Sequence, residues 1–198
     1  KNFIIHKNYK FIKGDCGNIN ILNKLKNIKI IIHLAGQSSG EKSFEDPLDD
    51  FKKNTISTVN LLNFARRIKC KQFIYASSMS VYGDGHKKKV SEKVLTNPIS
   101  FYGLSKETTE KYIKKFKEKG VNYTILRFFN VYGSYQKLGN LKQGMIRIYL
   151  TQILKNKKLI VKGSNKRFRD FINIKDVVKY IEEIINNKKY FNKTFNIG

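Results

Sequence analysis

The sequence predicts an α/β protein in which a parallel sheet is covered by helices on both faces. Short, continuous apolar runs alternate with longer amphipathic stretches, and polar residues capable of chemistry follow the ends of several runs. Continuous apolar runs are typical of strands buried on both faces, because a strand with one wet face alternates instead. The predicted strands are residues 11–12, 30–34, 73–76, 123–129, 159–161, 171–174 and 194–197.

Four stretches between these strands carry apolar residues at helical spacing. Residues 47–67 have Pro47 near the first turn, where the fixed φ of proline suits a helix start. Residues 104–119 are followed by Gly120, which favours the left-handed conformation that ends many helices. The polar segment 83–97 is predicted to be a loop over the functional site. The remaining predicted helices cover residues 143–155 and 176–187.

The composition limits the classes of protein to which this chain can belong. With 198 residues and 40% hydrophobic content, the chain can bury about one domain-sized core. A net charge of +25 suggests nucleic-acid binding, but the lysines are spread over the whole length and no nucleic-acid-binding motif is present, so none is expected. Cys16 and Cys70 lie far apart, which predicts reduced thiols, a cytoplasmic protein and no metal site. No apolar stretch approaches the roughly 20 residues that span a bilayer, so no membrane association is expected.

A phenol, an ammonium and a hydroxyl are predicted to meet at the end of one strand. Tyr102 and Lys106 are four residues apart and therefore share one helix face, and the run 73–76 upstream ends in Ser77 and Ser78. Ligands of parallel sheets bind beyond the carboxyl ends of the strands. A free tyrosine has a pKa of about 10, too high for base catalysis at neutral pH, and a nearby ammonium lowers it. We therefore predict Tyr102 as the base in the oxidation of an alcohol, with Lys106 lowering its pKa.

Seven segments resemble, in order, the extended short-chain dehydrogenase/reductases, specifically the NAD-dependent nucleotide-sugar epimerases and dehydratases, and most of all the UDP-glucose 4-epimerase-like members. The resemblance implies a doubly wound, Rossmann-like, NAD-binding domain over residues 1–134 and part of a smaller substrate lobe, with a return to the main sheet, over residues 135–198. It also implies NAD as cofactor, a nucleotide-sugar substrate and a homodimer formed through the helices at 47–67 and 104–119. The seven segments are residues 11–15, 32–37, 54–60, 75–83, 102–106, 126–133 and 163–176.

The same resemblance assigns roles to individual residues. Ser78, Tyr102 and Lys106 are the expected catalytic residues, and Ser78 is preferred to Ser77 because the family's catalytic hydroxyl stands three residues before the valine of V-Y-G, here Val81. The expected substrate contacts are Ser78, Asn130 and Arg169, with Arg167 as a competing phosphate ligand, while His33 is expected to be structural. The expected cofactor-binding residues are Asp15, Cys16, Ala35, Gly36, Gln37, Asn54, Ser77, Tyr102, Lys106 and Phe128.

The sequence departs from the family pattern in two ways. The family's Gly-rich phosphate loop is expected before Lys1 and the rest of the substrate lobe after Gly198, so this stretch alone is not expected to be fully active. Dehydratases have two acids after the catalytic hydroxyl, where this chain has Met79 and Ser80, and decarboxylating relatives have a Glu at Ser80. We therefore expect UDP-hexose 4-epimerisation through a 4-keto sugar. An NAD(P)-dependent nucleotide-sugar reductase, a dehydratase, or a non-catalytic RNA-binding or scaffold module of the same fold stays open as an alternative.

Overall fold

Four parallel strands form the main sheet, which confirms the predicted α/β class. The computed structural model describes residues 6–84, 89–136, 144–156, 158–161 and 168–198. The main sheet has the order β1-β2-β3-β6, and a second, two-stranded parallel sheet pairs β4 with β5. The strands are β1 Ile30–His33, β2 Gln72–Ser78, β3 Tyr123–Phe128, β4 Asn130–Tyr132, β5 Phe171–Asn173 and β6 Lys193–Ile197.

Helices cover both faces of the main sheet. Successive side chains of a strand point to opposite faces, so Phe73 and Tyr75 of β2 enter one core while Ile74 enters the other. The first core includes residues of α1, α4 and α5, and the second includes Val177 and Ile184 of α7. The helices are α1 Ile19–Leu22, α2 Gly40–Glu45, α3 Pro47–Phe51, α4 Ser57–Arg67, α5 Phe101–Phe116, α6 Met145–Asn156 and α7 Ile174–Ile184.

Helix α5 has well-defined ends. The Ser100 side chain accepts a hydrogen bond from the Gly103 N–H at 3.1 Å, which satisfies one of the free donors of the first turn. A 3₁₀ turn, Lys117–Lys119, follows the helix, and Gly120 then adopts the left-handed conformation with φ of +82°. The predicted stop at Gly120 is therefore confirmed. Because both ends are capped, Tyr102 and Lys106 are held in a regular helix whose first turn lies at the edge of the site.

The stretch predicted as one helix over residues 47–67 contains a π-helical turn. Helix α3 runs into the π turn Lys52–Ile56, and α4 continues from Ser57. A π turn inserts one residue into the helix and changes which side chains share a face. In a regular helix Phe51 would share a face with Thr55 and Leu62, but here Phe51 is 40% exposed while the other two are buried. Asn54 lies in the π turn and is buried.

Two predicted strands are wrong. Residues 11–12 form no strand, and Phe11 and Ile12 are exposed, since no strand in the described ranges pairs with them. Residues 159–161 form none either, and the backbone N–H of Ile160 donates to Gln152 Oε1 at 3.0 Å instead of to a neighbouring strand. The predicted domain division at residue 134 stays a prediction. None of the helices within the described ranges has the length and hydropathy needed to cross a membrane.

Candidate active site

The carboxyl ends of the parallel strands border a cavity of about 570 Å³. The turn after β1, the end of β2, the first turns of α5 and the segment after β3 all contribute to its lining. Ala35 is exposed in the turn after β1, between two residues that line the cavity. The predicted site residues that line the cavity are Gly36, Gln37, Ser77, Ser78, Tyr102, Lys106, Phe128, Asn130 and Arg169.

The three predicted catalytic side chains meet in this cavity. The Ser78 hydroxyl acts on the Tyr102 phenol by lowering its pKa, and its Oγ lies 3.1 Å from Ser80 Oγ. Lys106 donates from Nζ to the Ala76 carbonyl at 2.9 Å, and Nζ lies 5.8 Å from the centre of the Tyr102 ring. Tyr102 is 9% exposed and Lys106 only 5% exposed. Hydroxyl, phenol and ammonium are thus held on one wall of the cavity with little water around them.

Burial controls the protonation of both helix residues. It raises the pKa of Tyr102; the Ser78 hydrogen bond opposes this rise and the negative charge of Asp50 adds to it. Burial lowers the pKa of Lys106 from 10.5 to about 8, although Asp50 and Glu110 act in the opposite direction. The net direction is thus opposite to the lowered Tyr102 pKa expected from the sequence, and a lowering effect of Lys106 on the phenol stays a prediction. The physical reason is that desolvation of the phenol dominates, while the ammonium is directed at a backbone carbonyl.

The turn after β1 is packed tightly against the π turn. Gly36 has φ of +153°, and a Cβ at this position would overlap Asn54 Oδ1. Asn54 is 1% exposed, and its Oδ1 has no hydrogen-bond partner within the described part of the chain. Gln37 donates from Nε2 to Asp50 Oδ1 at 2.9 Å. Asn54 thus lies directly against the turn, and Gly36 leaves backbone accessible to a ligand because it has no side chain.

Asp15 and Cys16 are not among the residues that line the cavity. Asp15 is exposed, and its Oδ1 accepts a hydrogen bond from the Gly17 N–H at 2.7 Å, which is a typical turn contact. Burial, the largest effect, and the charge of Asp15 raise the pKa of the Cys16 thiol. Asn60 of α4 holds this turn by donating to the Gly17 carbonyl at 2.9 Å. A role for the turn in binding the distant adenine end of a cofactor stays a prediction.

Sequence reasoning missed a buried ion pair beneath the cavity. Arg127 of β3 binds Glu110 of α5 through two hydrogen bonds, Nε to Oε1 at 2.9 Å and Nη2 to Oε2 at 2.6 Å. Burial lowers the pKa of Arg127, but Glu110 outweighs burial and the pKa is raised. The Ser77 hydroxyl also donates to Glu110, at 2.6 Å, so a cofactor contact by Ser77 would use its backbone. The sequence did contain one signal for this residue. Glu110 stands four residues after Lys106 and therefore lies on the same helix face as the predicted catalytic residues.

The far wall of the cavity is polar and positively charged. Asn130 donates from Nδ2 to the Asp170 carbonyl at 2.7 Å, which joins the start of β4 to the segment before β5. Arg169 and Arg147 both line the cavity, and Arg147 of α6 was missed because the apolar periodicity of that helix dominated its interpretation. The competing candidate Arg167 lies outside the described residues.

A second cavity of about 340 Å³ adjoins the first. The two share Met79, Phe129 and Arg169 in their linings, so they form one continuous groove. The second cavity is also lined by Asp84, Lys89 and Val90 of the predicted loop, together with Tyr82 and Asn196. No cluster of three or more potential metal ligands occurs among the residues that the structure describes.

Comparison with known proteins gives a consistent result. A family model described as "NAD dependent epimerase/dehydratase family" matches residues 1–198. A putative UDP-glucose 4-epimerase of Methanocaldococcus jannaschii is 34% identical over 198 residues, which are 98% of this chain and 64% of that protein. A dTDP-D-glucose 4,6-dehydratase of Dictyostelium discoideum is 30% identical over 96% of this chain and 46% of its own length.

The fold comparison agrees with the sequence comparison. The crystal structure of the UDP-glucose 4-epimerase of Thermotoga maritima with UDP-glucose superposes with a TM-score of 0.90 and 30% identity. The match covers 98% of this chain and 64% of that structure. The chain therefore spans less than two thirds of the length of these similar proteins.

Proposed function

The chain belongs to the NAD-dependent epimerase/dehydratase family, and from this premise we propose that its full-length protein is a UDP-hexose 4-epimerase acting through a transient 4-keto sugar. The observation that supports this choice within the family is the lining of the catalytic cavity. Tyr102, Ser78 and Lys106 face one space, and none of the described residues that line it is Asp or Glu. Chemistry that needs only a base and hydrogen-bond donors can occur there, whereas chemistry that needs a carboxylic acid lacks its acid.

The residues of the cavity are suited to NAD. The turn at Gly36 has no room for a side chain, as expected where a backbone lies close to a ligand, and Lys106 Nζ would be 3.7 Å from a Cβ placed there. We propose that Gly36, Gln37 and Lys106 hold the nicotinamide ribose, with Ala35 in the same turn and Phe128 opposite. When bound there, NAD would supply the hydride chemistry that reversible oxidation of the sugar alcohol requires.

The proton of the reacting hydroxyl is handled by this chain. Tyr102 takes the proton of the sugar 4-OH and later returns it, while Ser78 hydrogen-bonds the reacting oxygen. The phenolate must form in a site that raises the pKa of Tyr102, so Ser78 and the Lys106 ammonium are the groups that stabilise it. Met79 and Ser80 supply no acid for elimination of water, which disfavours a dehydratase.

The continuous groove suits a nucleotide sugar. In this proposal the sugar occupies the cavity at Tyr102, and the diphosphate lies near Arg169, where guanidinium groups bind phosphate well. Asn130 and Arg147 border the same space and are proposed as additional contacts to the sugar or diphosphate. The nucleoside then extends into the second cavity beside Tyr82.

A homodimer is proposed on the basis of exposed apolar side chains. Leu48 of α3 is 59% exposed, and Leu104 and Tyr112 of α5 are 49% and 46% exposed. Apolar surfaces of this kind commonly mark protein–protein contacts. Sedimentation of the wild type against a Leu104→Glu variant tests this, and a wild-type monomer would contradict it. The cytoplasmic location expected from the free thiols of Cys16 and Cys70 stays a prediction.

The test uses the full-length protein with NAD and UDP-glucose or UDP-galactose. We expect interconversion without net consumption of cofactor. Tyr102→Phe should lower turnover by a factor of about 10² or more while NAD still binds. The matched control is Tyr180→Phe, which removes a hydroxyl from an exposed tyrosine of α7 and should leave turnover unchanged.

The other outcomes separate the alternatives. Net oxidation of NADPH would indicate a reductase, and a 4-keto-6-deoxy product would indicate a dehydratase. RNA binding with a steep salt dependence and no sugar chemistry would indicate a binding module. Full activity of Tyr102→Phe would remove Tyr102 as the base.

A further inference from the structure

A buried carboxylate next to the candidate active site has no role in the mechanism above. Helix α3 contains two adjacent acids with opposite surroundings. Asp49 is on the surface and pairs with Lys53 at 2.7 Å, whereas Asp50 is 0% exposed. Acidic side chains are rarely buried so completely unless a partner compensates the loss of water. The contacts of Asp50 therefore indicate what it does.

Asp50 connects the turn after β1 with the π turn. Its Oδ1 accepts hydrogen bonds from Gln37 Nε2 at 2.9 Å and from Asn54 Nδ2 at 3.0 Å. Of the two donors, Gln37 is a residue that the proposed function places at the nicotinamide ribose. Asn54 in turn lies against Gly36, at the position where a Cβ would overlap its Oδ1. One carboxylate oxygen thus holds both sides of the turn that we propose contacts the nicotinamide ribose.

The second oxygen of Asp50 shows that these contacts do not fully satisfy the carboxylate. Oδ2 is buried and has no hydrogen-bond partner among the residues that the structure describes. A buried oxygen without a hydrogen-bond donor destabilises the folded state. A neutral Asn at this position could accept the same hydrogen bonds at Oδ1, so the hydrogen bonds alone do not require an acid. The feature that only the acid provides is its negative charge.

That charge acts on Lys106. The ammonium is buried, and Asp50 is the largest of the influences that oppose the loss of its proton. The same charge raises the pKa of Tyr102. Asp50 therefore favours the proton on both residues of the catalytic pair. The titratable or charged groups around Lys106 come from four elements. They are Asp50 of α3, Tyr102 and Glu110 of α5, His33 of β1, and Tyr75 of β2, whose ring centre lies 4.8 Å from Lys106 Nζ.

We propose that Asp50 is a positioning residue of the active site. Its buried carboxylate fixes Gln37 and Asn54 around Gly36, and its charge balances the Lys106 ammonium. This inference rests on the proposed function. Asp50 acts through these residues and does not touch the reacting atoms. Removal of the charge should shift the protonation of Lys106 and Tyr102 in the same direction, toward lower pH, which a purely structural role would not do.

The test compares Asp50→Asn with Asp49→Asn in the full-length protein. In NMR spectra of isotope-labelled lysine, with the Lys106 signal assigned by its loss in Lys106→Arg, we expect a wild-type midpoint of about 8. Asp50→Asn should lower that midpoint by about one pH unit. Both limbs of the pH profile of epimerisation should move to lower pH with it, and NAD affinity should fall. Asp49→Asn, on the surface of the same helix, should change none of these.

The outcomes distinguish this proposal from the proposed function. If the wild type does not epimerise, the proposed function fails, while the lysine titration still tests Asp50. If Asp50→Asn folds and keeps the wild-type midpoint, the positioning role is overturned even in an active enzyme. If Asp50→Asn does not fold, Asp50→Ser, which leaves space for a water molecule, carries the same expectation, and a wild-type midpoint there also overturns it.

Discussion

Replacing Lys106 by Met should stabilise the folded protein at neutral pH, because the wild-type ammonium is buried. Burial lowers its pKa from 10.5 to about 8, although Asp50 and Glu110 oppose the shift. The unfolded chain therefore binds this proton more tightly than the folded one. At pH 7 the difference corresponds to roughly 3 kcal/mol of destabilisation by the buried charge. Met is close to Lys in length and carries no charge, so it removes this cost without opening a large cavity.

The stability gained by removing the charge is partly offset by the loss of a hydrogen bond. The dependence of stability on pH separates these two effects. Met cannot donate to the Ala76 carbonyl, which Lys106 Nζ reaches at 2.9 Å, and this loss costs about 1–2 kcal/mol at any pH. The charge effect weakens as pH rises, because the unfolded state binds more protons than the folded state between about 8 and 10.5. The advantage of Lys106→Met should therefore shrink by roughly 2 kcal/mol between pH 7 and about pH 9.5.

Urea unfolding at the two pH values measures this difference. The matched control is Lys111→Met on the same helix, where the side chain is 69% exposed and pairs with Glu107 at 3.0 Å. An exposed pair of this kind contributes less than about 0.5 kcal/mol, so the control should show little change at either pH. A stability difference between wild type and Lys106→Met that is the same at both pH values would refute burial of charge as its cause.

Two further substitutions test the packing around the site. Gly36→Ala should weaken NAD binding at least tenfold by titration calorimetry, because the new methyl group overlaps Asn54 Oδ1. The control Gly40→Ala should bind NAD normally, because the atoms nearest to its new methyl group lie 3.9 Å away. Equal NAD affinities of the two variants would contradict the close packing of the turn. Glu110→Gln should lower the free energy of unfolding by about 3–5 kcal/mol in urea titration, since it leaves the Arg127 guanidinium buried without its carboxylate. A loss below about 1 kcal/mol would show that the pair is hydrated.

Much of the fold and of the candidate site could be predicted because the signals were local. The continuous apolar run of β2 predicted a buried strand, and the serines at its end lie in the cavity with Tyr102 and Lys106. A run of apolar residues is insufficient where pairing is absent, which is why residues 11–12 and 159–161 were wrongly predicted as strands. Strand formation requires a partner, and partners are a property of the whole fold.

The electrostatics of the site could not be predicted from spacing. Tyr102 and Lys106 are on one helix as expected, but the direction of the Tyr102 pKa depends on how much water the folded chain removes. The roles of Asp50 and Arg127 depend on contacts between segments far apart in sequence. Asp50 lies outside the seven segments, and Arg127 lies within segment 126–133 while its partner Glu110 does not, so only the three-dimensional structure shows these contacts.

The π turn Lys52–Ile56 makes the length of this segment as important as its composition. Deleting one residue there would restore a regular helix but rotate everything on one side of the deletion by about 100°. Asp50 and the core residue Leu62 could then no longer face their present neighbours together. We expect natural variants of the segment to differ by replacement and never by a change in residue count.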